Sequence, residues 1–125
     1  MAIKVASTTV IDDSRVIQNI AGASGRYGAF YPLTSAISTV INLTKPVMTC
    51  SMSSNVTFST SNADQGRNSI LVLDTNTAPY TPTFPAEILW ANDTTPTWSD
   101  YRYWHIAMWC WNSTSVRSVA IGFNN

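Results

Sequence analysis

The chain has 125 residues, a formal net charge of zero and only 11% charged side chains, against roughly a quarter in ordinary soluble domains. Its seven basic residues are scattered from Lys4 to Arg117, without the clustered stripe that an electrostatic grip on nucleic acid needs. No apolar run approaches the roughly 18 residues of a membrane span, and 45% hydrophobic content is too high for a disordered chain. Length fits one domain, and few charges with many aromatics point to surface hidden in an assembly.

Ile3 to Asp12 reads as one strand and Arg15 to Ile20 as a second, before Gly22, Gly25 and Gly28 punctuate the pattern. Residues 1–30 are read as an attachment arm and 31–125 as the main domain. Val10, Ile11, Val16, Ile17 and Ile20 are the arm's apolar contacts, since such arms pair with another chain by strand addition. One lysine and no apolar core in the first eight residues are not the pattern of a secretory signal, so synthesis and assembly are expected in a cytoplasm.

Leu33 to Leu43 is the best helical candidate, but its Ser, Thr, Val and Ile favour a strand. Period-two alternation then recurs. Met48, Cys50 and Met52 share one face, and Val56 and Phe58 another. Ile70-Leu71-Val72-Leu73 is continuous and reads as a strand buried on both faces. Ile88 and Trp90 alternate around Leu89, and Val119, Ile121 and Phe123 alternate with Ser118, Ala120 and Gly122. Tyr101 to Trp111 is apolar on both faces: Tyr101, Tyr103, His105, Ala107, Trp109 and Trp111 on one, Arg102, Trp104, Ile106, Met108 and Cys110 on the other. A strand of that kind needs cover on both sides, one layer from a second sheet and the other from a neighbouring subunit.

Polar loops at 61–68, 74–79, 90–96 and 112–115 separate these runs, and Pro82 and Pro85 mark an edge or interrupted strand around Phe84. Short strands at roughly 8–12 residue spacing predict an all-β fold, an antiparallel β-sandwich or jelly-roll-like domain with an N-terminal extended arm.

The sequence offers no catalytic constellation. His105 is the single histidine and lies mid-strand, without the glycines of a nucleophile elbow. Cys50 and Cys110 are too few for a disulfide framework or, with one histidine, for a zinc site, and read as buried thiols. The seven acids lie mostly at turns, where Asp64, Asp74 and Asp93 cap backbone amides. The sequons at Asn42, Asn55, Asn92 and Asn112 are expected by chance in a chain this rich in Asn, Ser and Thr. No enzyme activity, cofactor or metal is expected.

In order, Asn55-Val56-Thr57-Phe58, Ile70-Leu71-Val72-Leu73-Asp74, Tyr80-Thr81-Pro82-Thr83-Phe84-Pro85, Ile88-Leu89-Trp90, Thr94-Thr95-Pro96-Thr97 and Val119-Ala120-Ile121-Gly122-Phe123 form a block that resembles the C-terminal domains of bacteriophage tail fibre and virion appendage proteins, particularly those of marine and cyanobacterial phages. Thr8-Thr9-Val10-Ile11-Asp12-Asp13-Ser14-Arg15, continuing through Asn19-Ile20, is similar to a phrase near domain starts in phage fibre proteins. Ala91-Asn92-Asp93 lacks that family's glycines, and Trp104, Trp109 and Trp111 make this chain more aromatic.

The resemblance implies a non-enzymatic virion structural protein, a tail fibre or baseplate appendage component. It implies a homotrimer that attaches to other virion proteins of the tail, baseplate or capsid. A capsid decoration protein and a free-standing carbohydrate-binding module are the alternatives. The aromatics have two readings. Tyr103, Trp104, His105, Trp109 and Trp111 are expected at the oligomer interface. Tyr80, Trp98 and Tyr101 are the candidates for stacking on host surface polysaccharide, with Trp98 the most exposed because it falls in a turn region. Packing is the favoured role for the set as a whole.

Overall fold

The computed structural model describes residues 30–124 and, for the backbone alone, 3–5 and 8–11. It is all-β. The strands are β1 (Ile3–Val5), β2 (Thr8–Ile11), β3 (Tyr31–Pro32), β4 (Ser38–Asn42), β5 (Val47–Ser51), β6 (Val56–Ser61), β7 (Asn68–Asp74), β8 (Pro82–Thr83), β9 (Ile88–Trp90), β10 (Tyr103–Asn112) and β11 (Ser115–Phe123). Two single-turn 3-10 helices, Ala91–Asp93 and Trp98–Asp100, lie between β9 and β10.

From β3 to β9 the chain changes sheet at every step. β3, β5 and β7 lie side by side in one sheet, and β4, β6 and β8 in the other. Each of these neighbouring pairs is parallel. Parallel neighbours need a crossover, usually a helix; here a strand of the opposite sheet does that job. The C-terminal hairpin of β10 and β11 then inserts between β7 and β9, completing the six-stranded order β3-β5-β7-β10-β11-β9. β10 is antiparallel to both neighbours, and β11 is parallel to β9.

The expectation of an antiparallel domain is therefore corrected: the six-stranded sheet is mixed and the three-stranded sheet is parallel throughout. Alternation within a strand reports which residues share a face, and carries no information about the direction of the partner. The expectation of one strand over Ile3 to Asp12 is also corrected. β1 and β2 pair antiparallel, with Ile3 opposite Ile11 and Val5 opposite Thr8, which satisfies backbone groups that a lone strand would leave open. Val10 and Ile11 fall in β2; Val16, Ile17 and Ile20 lie outside the described residues.

The two larger sheets share one hydrophobic core. The three-stranded sheet contributes Ile41, Val56 and Phe58, and the six-stranded sheet Met48, Cys50, Leu71, Leu73, Ile106, Met108, Cys110 and Val116. The alternation read for Met48, Cys50 and Met52 and for Val56 and Phe58 holds, since all five are buried. Cys50 and Cys110 are free and buried, as expected, and burial pushes both thiols up from their ordinary pKa.

The turn chemistry holds in part: of the three aspartates expected to cap backbone amides, Asp74 does so, whereas the Asp64 carboxylate pairs with Arg67 at 2.9 Å and no backbone amide among the described residues bonds that of Asp93. Asn62, Asn76, Asn92, Asp93 and Gly66, the positive-φ residues of the described chain, all fall in the polar loops, where Asn, Asp and Gly adopt that conformation most readily. Asp74 Oδ1 accepts the Asn76 N–H at 2.8 Å, and Asn112 Oδ1 accepts the Thr114 N–H at 2.9 Å to close the last hairpin. Asn55 Oδ1 accepts the Thr81 N–H at 2.9 Å. Of the sequon asparagines, Asn42 and Asn112 thus serve as local caps, while Asn55 ties its turn to a distant loop. The proline-flanked strand is β8, two residues at the edge of its sheet, where a missing N–H costs least.

Candidate functional site: the outer face of the six-stranded sheet

Strand β10 sets the site. Trp104, Ile106, Met108 and Cys110 point inward and are at most 5% exposed. The intervening Tyr103, His105, Ala107, Trp109 and Trp111 therefore point to the opposite surface, and the last four are exposed. Register then fixes their neighbours. His105 stands between Val72 and Ile121, Ala107 between Ile70 and Val119, and Tyr103 between Asp74 and Phe123. Trp109 stands between Asn68 and Arg117, and Arg117 pairs with Leu89 of β9. Exposure is 41% for Ile70, 46% for Leu89, 57% for Ile121, 45% for Phe123 and 55% for Trp111.

The face is apolar along its middle, with a guanidinium stacked on an aromatic ring at each end. The Arg117 guanidinium lies 4.5 Å from the centre of the Trp111 ring, and the Arg102 guanidinium 4.9 Å from that of Tyr103. Arg102 also bonds both carboxylate oxygens of Asp74, at 2.9 and 3.0 Å. That guanidinium, with the Asn76 N–H assisting, holds the Asp74 carboxyl below its ordinary range against a partial desolvation cost. His105 packs its ring on Phe123 with centroids 4.8 Å apart.

One reading of burial needs correction. Ile70-Leu71-Val72-Leu73 is buried on one face only: Leu71 and Leu73 are fully inside, and Ile70 is open. Its apolar outer side belongs to the surface just described. In β11 the inward residues are Val116, Ser118 and Ala120, and the bulky Ile121 and Phe123 face out.

Four of the five residues expected at an oligomer interface, Tyr103, His105, Trp109 and Trp111, share this outer surface. Trp104 does not. It is 5% exposed in the core, with its indole N–H donating to the Tyr101 carbonyl at 3.0 Å, because alternation along β10 turns it inward. The sequence reading missed Ile70, Leu89, Ile121 and Phe123; their common signal was large apolar residues alternating with the core-facing set.

The glycan set fares differently. Trp98, expected to be the most exposed, is 8% exposed. Its 3-10 turn tucks the ring among Phe84, Trp90 and Trp104, at centroid distances of 5.4, 5.6 and 5.1 Å. Phe84 in turn stacks on Phe58 at 5.0 Å, so this row of rings joins the two sheets. Tyr80 is half-buried against the core, and Tyr101, 39% exposed, meets Trp104 edge to face. The structure therefore does not assemble Tyr80, Trp98 and Tyr101 into one open platform.

No family model matches this chain, no curated protein matches it, and no solved structure matches it.

Proposed function

We propose that this chain is a structural subunit of a bacteriophage virion appendage, of tail fibre or baseplate type, that packs against sister copies through the outer face of its six-stranded sheet. The observation that carries the self-association is that face: Ile70, Leu89, Trp109, Trp111, Ile121 and Phe123, all exposed in the single chain. The virion setting rests on the order of the fibre-like motifs from Asn55 to Phe123. In this reading the two sheets are the layers of a β-sandwich, and residues 1–30, with Val10, Ile11, Val16, Ile17 and Ile20, attach the subunit to its neighbours in the particle.

The physics supports association. Four strands about 4.8 Å apart and three same-face spacings of about 6.8 Å along them project to about 400 Å² before side-chain relief is counted. That is the size of the largest apolar patch on a typical monomer and about half of the roughly 800 Å² of accessible surface that each partner gives to a standard interface. Tyr, Trp, Phe and Arg, the residues gathered here, are those enriched at interfaces. A net charge of zero leaves little electrostatic repulsion between copies.

Light scattering on a size-exclusion column tests this with the full chain. Three copies of the 13.7 kDa chain would give about 41 kDa. Ile121→Lys is expected to shift that species to monomer without changing the circular dichroism spectrum. A 13.7 kDa wild-type species at every concentration tested would contradict the reading.

A further inference from the structure

A second surface, at the open edge of β11 beside the outer face, has the features of a ligand site. Strand β9 ends at Trp90, opposite Ser118, while β11 runs on through Val119–Phe123 with no strand partner on that side among the described residues. The space that a longer β9 would fill is a cavity of about 330 Å³, bordered by Trp90, Asn92, Thr94, Trp104, Ser118 and Ala120. Beyond Trp90 and Pro96, which border both, lies a second cavity of about 330 Å³, walled by Thr81, Thr83, Phe84, Thr95 and Trp98. They are neighbouring compartments of one cleft, each within the usual size of a small-molecule site.

Ser118 supplies an independent sign. Its side chain is 1% exposed, it borders the first cavity, and its Oγ has no hydrogen-bond partner among the described residues. Buried hydroxyls in native proteins are nearly always partnered. A donor and acceptor held at a cavity wall by two strands, with its bonds unspent, is arranged for a group that enters the cavity.

The lining determines the chemistry of that group. Among the described residues no ionisable side chain borders either cavity, so a phosphate or carboxylate would be desolvated there without a counter-charge. A purely apolar occupant would seal off the Ser118 hydroxyl and the threonine hydroxyls at the rim. A ring with an apolar C–H face and a hydroxyl edge meets both demands: its face lies on Trp90 or Phe84, and its edge bonds the hydroxyls. We infer that this cleft binds a neutral saccharide of at least two units, one on each side of Trp90, with Ser118 bonding a sugar hydroxyl.

Saturation-transfer NMR and calorimetric titration of the full chain test the inference. The probes are maltotriose, chitotriose, mannotriose and galactotriose, with a hyaluronan tetrasaccharide as anionic control and anilinonaphthalene sulfonate as apolar control. At least one neutral trisaccharide should bind saturably, with a dissociation constant on the order of 10⁻³ M or tighter. Ser118→Ala, which removes an unpartnered hydroxyl and so should keep or raise thermal stability, is expected to weaken binding about tenfold. Thr95→Glu, on an exposed loop position that cannot unfold the core, should weaken it at least as much. Ile121→Lys should bind sugar like the wild type, since Ile121 borders neither cavity. The inference is overturned by no saturable binding of any neutral sugar, by tighter binding of either control, or by binding that both cleft variants leave unchanged.

Discussion

The ring of Tyr101 lies directly on the backbone of Gly122, in space that a β-carbon at position 122 would need. Thr75 sets this up: its N–H and its hydroxyl both bond the Arg102 carbonyl, at 2.9 and 3.0 Å, fixing the chain beside Tyr101 to the end of β7. Tyr101 then meets Trp104 edge to face and closes that end of the core. Gly122→Ala is expected to force the ring aside and cost about 1–3 kcal/mol, the usual penalty for overpacking. Thermal unfolding should show a melting point several degrees lower, and adding Tyr101→Ala should make the glycine change nearly neutral.

The two faces of β10 predict opposite behaviour for adjacent positions. Ile106 is fully buried, so Ile106→Ala should lose about 2–5 kcal/mol in a denaturant titration. Trp109→Ala, on the open side, should change the stability of the isolated subunit by no more than about 0.5 kcal/mol. Its effect should appear instead as a weaker association constant in sedimentation equilibrium.

Much of this fold was legible in the residues, and its gaps have a physical cause. Met48, Cys50, Met52, Val56 and Phe58 announce their buried faces because polar residues stand between them. β10 could not announce which side goes in, since both are apolar; packing puts Trp104, Ile106 and Met108 inside and leaves Trp109 and Trp111 out. Ile70 and Val72 looked buried for the same reason: an apolar side chain on an outer face resembles a core residue until the inner face is known. Trp98 was misplaced because a turn region need not be exposed; a single 3-10 turn drops its ring between Phe84 and Trp104. Strand direction was hidden altogether, because it depends on connections that cross between sheets. The cleft beside Trp90 arises from the early end of β9, a length no local pattern dictates.

Acid should weaken the domain partly through Asp74. Its carboxyl pKa is lowered in the fold, first by the hydrogen bonds from Arg102. A carboxylate with a depressed folded pKa contributes stability above its unfolded value, near 3.9, and loses it as pH falls through the folded value. Arg102→Ala should therefore destabilise the protein at neutral pH. The gap between variant and wild type should close as chemical denaturation is repeated at pH values falling below about 4.

The thiols should be inert while the protein is folded. Cys50 and Cys110 are 2% and 3% exposed, and burial raises both pKa values, so little thiolate is present to react. Labelling with iodoacetamide near pH 8 should be slow in buffer and at least about a hundredfold faster in denaturant. Core-sized Cys110→Ser should destabilise by about 1–3 kcal/mol, through a buried hydroxyl in place of a small apolar group.

Oxidative footprinting of the full chain, compared with its Ile121→Lys variant at the same concentration, tests the central claim most directly. Copies joined through the outer face should shield Trp109, Trp111 and Phe123 in the wild type, and those three side chains should become readily oxidised in the variant. Equal oxidation of all three in both proteins, with the wild type still running as an oligomer, would mean that sister copies meet on some other surface.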